Sequence, residues 1–219
     1  MAGLIHGVEV ETVRRGLERV RAEIEAAAQK AGRSPDEVEL LAAVKYIPLE
    51  DLPVLHEAGL TLLGENRAQE LEAKATAHPE FRWHFIGQLQ SRKVKDIVPH
   101  VELIHSVASD SALRRLEQYG TPETRVLVEV DVAGEEAKAG VAPAELGAFI
   151  ERCPVEVVGL MTMPPFTEDP EASRPHFAAL RELAGRHGLE RLSMGTTQDY
   201  VVAVEEGATL VRIGTRLYA

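Results

Sequence analysis

Leu192-Ser193-Met194-Gly195-Thr196-Thr197 and Leu210-Val211-Arg212-Ile213-Gly214-Thr215 decide the reading of this chain. Each is a short apolar run ending in small, hydroxylated residues, and Gln198 to Glu206 between them has a helical pattern. The segment reads as strand, turn, helix, strand, turn at the end of an α/β chain, where a barrel usually keeps its phosphate site. A glycine lets the backbone approach an oxyanion closely, and a helix N-terminus supplies free N–H groups. Thr197 is placed to cap that helix and to donate its hydroxyl. A phosphorylated ligand is implied, although two ordinary strand-ending loops would carry the same residues.

Upstream, the same alternation repeats. Residues 8–31 place Val13, Leu17, Val20, Ile24 and Ala28 at three- and four-residue steps, which predicts an amphipathic helix stopped by Gly32 and Ser34-Pro35. Val38 to Lys45 follows as a nearly continuous apolar run of the kind buried in parallel sheets. Further strands are expected at 60–63, 82–86, 101–106, 125–131, 155–160, 191–194 and 209–213, with helices at 67–77, 109–118, 143–152, 171–187 and 198–206. Eight alternating units predict an α/β chain folded as one (β/α)8 barrel of the TIM type over residues 1–219, with no Pro/Gly/Ser-rich linker dividing it. Only Arg216-Leu217-Tyr218-Ala219 follows the last strand, so the extra N-terminal helix is expected to fill the closing place in the outer ring. An open doubly wound sheet is the competing architecture, but no Gly-rich phosphate turn follows the first strand.

The composition narrows the function classes. With 35 acidic against 24 basic residues, the net charge of −11 argues against nucleic-acid or anionic-membrane partners. The one basic cluster, Arg92-Lys93-Val94-Lys95, reads as a solvated helix face. Cys153 is the only cysteine, so no intrachain disulfide forms and no zinc-ligand spacing exists. No signal peptide or membrane-spanning run is visible, and a cytoplasmic protein is expected. Asn66 is the sole asparagine, a bias that predicts a thermophilic source and a melting temperature above the mesophile range of about 45–65 °C.

Strand ends are where a barrel keeps its chemistry. Lys45 closes the first apolar run; desolvated there, its amine would become a nucleophile toward an aldehyde or ketone, whereas the ordinary alternative is a solvated strand-end lysine. Asn66, in Leu63-Gly64-Glu65-Asn66, has a hydrogen-bonding task or caps a helix. His84, within Trp83-His84-Phe85-Ile86-Gly87, reads as a packed core residue or a pocket residue. Arg212, on the last strand, needs an acceptor, and a ligand ring nitrogen or a carboxylate would serve. Met161-Thr162-Met163-Pro164-Pro165 reads as a stiff loop over the mouth, and Gly134 to Gly140 as another in which Glu135 and Lys138 pair. No Ser-His-Asp order, HExxH motif or close carboxylate pair supports a hydrolase.

Taken in order, Ala-Val-Lys at 43–45, Gly-Glu-Asn at 64–66, Trp-His-Phe-Ile-Gly at 83–87, Gly-Glu-Glu-x-Lys-x-Gly at 134–140, Gly-Leu-Met-Thr-Met at 159–163, Leu-Ser-Met-Gly at 192–195 and Arg-Ile-Gly-Thr at 212–215 form a recognisable set. From about Leu40 to Tyr218 the chain resembles the pyridoxal phosphate homeostasis protein family, single-domain relatives of the alanine racemase N-terminal barrel. The resemblance implies a fold-type-III-like barrel with pyridoxal 5'-phosphate (PLP) held as an aldimine on Lys45. It implies that Ser193, Gly195, Thr197, Gly214 and Thr215 surround the phosphate, that Arg212 faces the pyridine nitrogen, and that Asn66 and His84 line the pocket. Val44 stands where the family usually has Ser or Thr, Arg92 and Asp131 each replace a common Asn, and Thr196-Thr197-Gln198 varies the phosphate turn.

An arginine at the pyridine nitrogen would keep it unprotonated and weaken the ring as an electron sink. Racemisation also needs a second base, which alanine racemases take from a tyrosine of an additional domain; Tyr46, Tyr119, Tyr200 and Tyr218 are the only tyrosines here. The resemblance therefore implies a monomeric PLP carrier in cofactor homeostasis, affecting amino-acid and keto-acid balance, with apo PLP-dependent enzymes as its partners. A slow amino-acid racemase and a class I aldolase-like enzyme are the alternatives.

Overall fold

The eight apolar runs become eight parallel strands: β1 (Glu39–Ala43), β2 (Leu62–Glu65), β3 (Arg82–Phe85), β4 (Leu103–Val107), β5 (Arg125–Glu129), β6 (Glu156–Met161), β7 (Arg191–Thr196) and β8 (Leu210–Ile213). In the computed structural model, which describes residues 4–134 and 139–218, neighbouring strands pair in chain order. The sheet closes because β8 returns to β1, with Leu41 opposite Arg212. The (β/α)8 TIM barrel is therefore the architecture, and the open sheet, which would leave two free edges, is ruled out. The expected pairing of Glu135 with Lys138 lies outside the described residues.

Among the described residues eight α-helices wrap the sheet: α1 (Val10–Lys30), α2 (Leu52–Glu57), α3 (Ala68–Ala77), α4 (Val94–Ile97), α5 (Asp110–Tyr119), α6 (Leu146–Glu151), α7 (Arg174–Arg186) and α8 (Tyr200–Glu205). Helix α1 buries Val13, Leu17, Val20, Ile24, Ala27 and Ala28, the stripe its periodicity predicts, and packs on α8 and the turn at Thr215–Leu217. It thus occupies the closing place in the ring. Gly16 permits this approach, since a Cβ there would lie 2.6 Å from the Leu217 carbonyl oxygen. Helices α2 and α4 are six and four residues long, too short to show a helical period in the sequence. No helix of the described residues is long and apolar enough to cross a membrane.

The strands separate two cores. Their outward faces meet the helices in one large apolar cluster that includes Val44, Leu63, Trp83, Phe85, Val126, Leu160, Met194, Val211 and Ile213. Inside the barrel the apolar residues form two small groups, Leu41, Leu62 and Leu210, and Leu103, Leu127 and Met161. At the N-terminal end a ring of charges sits on the strand starts: Arg82 pairs with Glu39 (3.0 Å) and Glu102 (2.9 Å), Arg191 pairs with Glu39, and Arg125 with Glu156 (3.0 Å). That end is closed by structure, leaving the C-terminal end for a site.

Candidate functional site

Lys45, Asn66, Thr197, Arg212, Gly214 and Thr215 line one cavity of about 370 Å³ at the C-terminal end of the barrel. Ile5, Tyr46, Ile86, Met163, Phe166 and Tyr218 complete its wall. The other three residues singled out in the sequence, His84, Ser193 and Gly195, do not line it.

The turn carrying Lys45 is fixed from below. Strand β1 ends at Ala43, and Val44 O then accepts from Ile47 N (3.0 Å) and from Lys74 Nζ of α3 (2.9 Å). Lys74 Nζ also reaches Glu65 Oε2 (2.7 Å), with both side chains almost wholly buried, at 3% and 0% exposure. The other oxygen, Glu65 Oε1, accepts from Asn66 N (2.6 Å) and Arg67 N (3.2 Å). One buried ion pair thus ties the turn after β1 to the turn after β2. Lys45 itself is exposed, its Nζ 4.8 Å from the centre of the Tyr46 ring, so the burial expected to activate its amine is not there. Asn66 does not cap α3, whose N-cap is Arg67; its Oδ1 is buried without a partner and belongs to a residue of the cavity wall.

The two Gly/Thr turns are joined, because Gly214 N donates to Thr197 Oγ1 (3.0 Å). Thr197 therefore does not cap α8, contrary to the sequence expectation. The helix begins at Tyr200, and Asp199 accepts from Thr196 N (2.7 Å) and from Ser173 Oγ (3.1 Å). Gly195 lies within β7 at φ +89°, where a Cβ would stand 2.5 Å from the Ala203 Cβ. Its task is close packing against α8, one that L-residues with a Cβ cannot perform at that φ.

Arg212 finds its acceptors inside the protein: Ser193 O (3.2 Å), Ser193 Oγ (2.7 Å) and Thr162 O (3.0 Å). Its need for an acceptor is thus met within the protein, while Arg212 also lines the cavity. Burial lowers the guanidinium pKa to about 10, opposed by the negative charges of Glu129 and Asp199. Glu129 is pushed upward by its own burial against the pull of Arg212. His84 is buried in the barrel interior, its pKa lowered to about 3 by desolvation and by Arg191 and Arg82. Sequence reasoning missed His105 and Tyr218. His105 is one of two polar residues in the strand Leu103-Ile104-His105-Ser106-Val107 and nothing local marks it, yet it joins His84 to Ser193. Tyr218 lines the cavity and donates its hydroxyl to Ala43 O (3.3 Å), while burial raises its pKa.

Comparison with known proteins agrees with the barrel fold. Residues 16–219 match the family model for the alanine racemase N-terminal domain. A pyridoxal phosphate homeostasis protein of Aquifex aeolicus is 42% identical, over 92% of this chain and 95% of the relative, and one of Pseudomonas aeruginosa is 40% identical over 95% and 96%. Among solved structures, PipY of Synechococcus elongatus PCC7942 with PLP bound is similar at a TM-score of 0.74 and 32% identity, covering 90% of this chain and 100% of that one. Alanine racemase from Corynebacterium glutamicum shares the fold at a TM-score of 0.69 and 15% identity, with 96% of this chain and 61% of the racemase covered. The chain belongs to the alanine racemase N-terminal domain family and, within it, to the pyridoxal phosphate homeostasis proteins.

Proposed function

We propose that this protein binds PLP in the Lys45 cavity, covalently through the Lys45 amine, and serves in cofactor homeostasis as a carrier without catalytic turnover. The carrying observation is the convergence on one cavity of an accessible primary amine, the partnerless buried Asn66 Oδ1 and the linked Thr197/Gly214 and Thr215 turn. An aldehyde needs the amine, a phosphate needs the hydroxyls and backbone donors of the turns, and Asn66 Oδ1 needs a donor from outside the protein. PipY, solved with PLP bound, supports the same ligand. When bound, PLP supplies an electron sink next to the amine that holds it.

The protein's own residues set the limits of that chemistry. Arg212 keeps a buried positive charge at the cavity, which opposes protonation of a ring nitrogen beside it. Turnover as a racemase requires a second base. Tyr218, the buried tyrosine of the wall, has its hydroxyl engaged by Ala43 O and its pKa raised, so it holds its proton. Tyr46 lies with Lys45, its ring beneath the same amine. The carrier works in the cytoplasm, where its lone Cys153 stays reduced, and apo PLP-dependent enzymes are the recipients.

The test is the visible spectrum of the purified protein before and after borohydride, with the labelled peptide mapped. A yellow protein that bleaches and carries the label on Lys45 is expected. A protein that stays colourless with PLP, or is trapped by borohydride only with a sugar phosphate, overturns the reading in favour of an aldolase-like Schiff-base enzyme. Exchange of an amino acid's α-hydrogen with solvent, lost in Lys45→Ala, would instead favour a slow racemase.

A further inference from the structure

Beneath the cavity the barrel interior carries a line of polar side chains that cofactor binding alone does not require. Arg212 Nη1 donates to Ser193 Oγ (2.7 Å), Ser193 Oγ meets His105 Nδ1 (2.8 Å), and His105 Nε2 meets His84 Nδ1 (3.0 Å). His84 Nε2 then lies 3.9 Å from Glu102 Oε2 in the ring of charges at the N-terminal end. The four upper members are buried, while Glu102 is half-exposed. The line therefore runs from the cavity through the barrel to its opposite mouth.

Counting hydrogens fixes its direction. A guanidinium only donates, so Ser193 Oγ accepts from Arg212 and turns its own hydrogen to its other described neighbour, His105 Nδ1. A neutral imidazole that accepts at Nδ1 carries its hydrogen at Nε2. That N–H makes His84 Nδ1 an acceptor and leaves the His84 hydrogen at Nε2, facing the Glu102 carboxylate. The reverse order would aim an N–H of His105 at Ser193 Oγ and strand the serine hydrogen in a buried site. It would also present a lone pair of His84 to a carboxylate. The arginines facing the pair favour neutral rings: Arg212 stands at the upper end, and Arg82 and Arg191 near His84 repel a proton on it. Glu102, whose charge alone would draw a second proton to His84, is half-exposed and 3.9 Å away, and in the first order it faces the Nε2–H. Burial acts in the same sense on both rings.

We propose that His105, backed by His84, is a positioning residue for Arg212: the two imidazoles, each with its hydrogen on Nε2, form a polarised chain from Arg212 to Glu102 that turns the Ser193 hydroxyl hydrogen away from the guanidinium and fixes that cation at the cavity. The chain exists without ligand; its effect on the bound cofactor rests on the function proposed above.

The two parts are tested separately. Ring-nitrogen NMR of the full-length protein labelled at its eight histidines reads the tautomers directly, with assignment from His84→Gln and His105→Gln. Two neutral Nε2–H rings, unchanged between about pH 8 and pH 5, are expected. A hydrogen on Nδ1 of either ring, or a protonated ring at neutral pH, overturns the chain whether or not PLP binds. The second measurement is the visible spectrum with added PLP. His105→Leu is expected to shift the absorption maximum in the same direction as Arg212→Ala measured alongside it, with Kd changed by less than about threefold. His105→Gln, which keeps one acceptor and one donor, is expected to return it toward the original position. A folded His105→Leu protein with an unshifted spectrum overturns the positioning role. If His105→Leu does not fold, His84→Leu is read by the same criteria.

Discussion

Replacing Lys74 by methionine removes one half of the ion pair that holds the Lys45 and Asn66 turns together. Glu65 Oε1 keeps the backbone donors of Asn66 and Arg67, but Oε2 loses its partner at 2.7 Å and remains buried, and Val44 O loses one of its two donors. Methionine fills most of the volume, so the loss is chiefly electrostatic. Breaking a buried pair from one side typically costs about 3–5 kcal/mol, because the remaining charge is uncompensated. At about 2–4 °C per kcal/mol for a chain of this size, Tm should fall by about 6–20 °C. Thermal and urea unfolding followed by circular dichroism measure this. Adding Glu65→Gln to Lys74→Met removes the stranded charge while leaving a carbonyl for Asn66 N, and should recover a substantial part of the loss. A single variant within about 1 kcal/mol of the parent, or a double variant no better than the single, would show that the pair does not carry the turn.

Three further outcomes follow from other contacts. Arg212→Ala should alter the visible spectrum of the PLP-loaded protein more than its retention, because the Thr197 and Gly214 turns are tied to each other and not to Arg212; loss of all bound cofactor would refute that division. Gly16→Ala should destabilise the protein by about 1–3 kcal/mol despite its better helix propensity, since the new methyl meets the Leu217 carbonyl at 2.6 Å; a rise in Tm would mean that α1 can shift freely. The folded-state pKa of His84 lies near 3, below its ordinary 6.5, so the unfolded chain binds the extra proton first and stability is full above pH 6.5. Stability should then fall on acidification toward about pH 3, at up to about 1.4 kcal/mol per pH unit for this ring, and His84→Gln should flatten the slope between about pH 6 and 4.5 in chemical unfolding.

The barrel was legible because alternation is a local property: each strand is a segment of four to six residues carrying closely spaced apolar positions, and the eight matched segments imply closure. Helix α1 was legible for the same reason, through Val13, Leu17, Val20 and Ile24. What the sequence hid depends on partners far apart. Lys74 sits in a helix rich in charge, and nothing nearby marks it as the one cation turned inward to Glu65. His105 and Ser193 are 88 residues apart, and only the register of β4 and β7 in a closed sheet makes them neighbours. Thr197 misled for a related reason: its hydroxyl faced two possible donors, and the tertiary one, Gly214 N, won over the helix that begins three residues later.

Both buried polar systems lie directly under cavity residues, the Lys74–Glu65 pair under Lys45 and Asn66, and the histidine chain under Arg212. Stability alone does not account for them, since well-packed apolar side chains of similar volume usually serve a barrel interior as well or better. Apolar packing can fix where a backbone turn lies, but it cannot dictate which way a serine hydroxyl points or hold a guanidinium against desolvation. Here the apolar groups around Leu41 and Leu103 fill the space, while hydrogen-bonded atoms orient the groups that face the ligand. The arrangement also separates the tasks of the two ends: substitutions in the ring of Glu39, Arg82 and Arg191 are exposed enough to be screened by solvent, whereas those in the column propagate to the cavity through partners that cannot be replaced by water. A barrel built this way should bind its ligand in one fixed pose, which suits the carrier role proposed above.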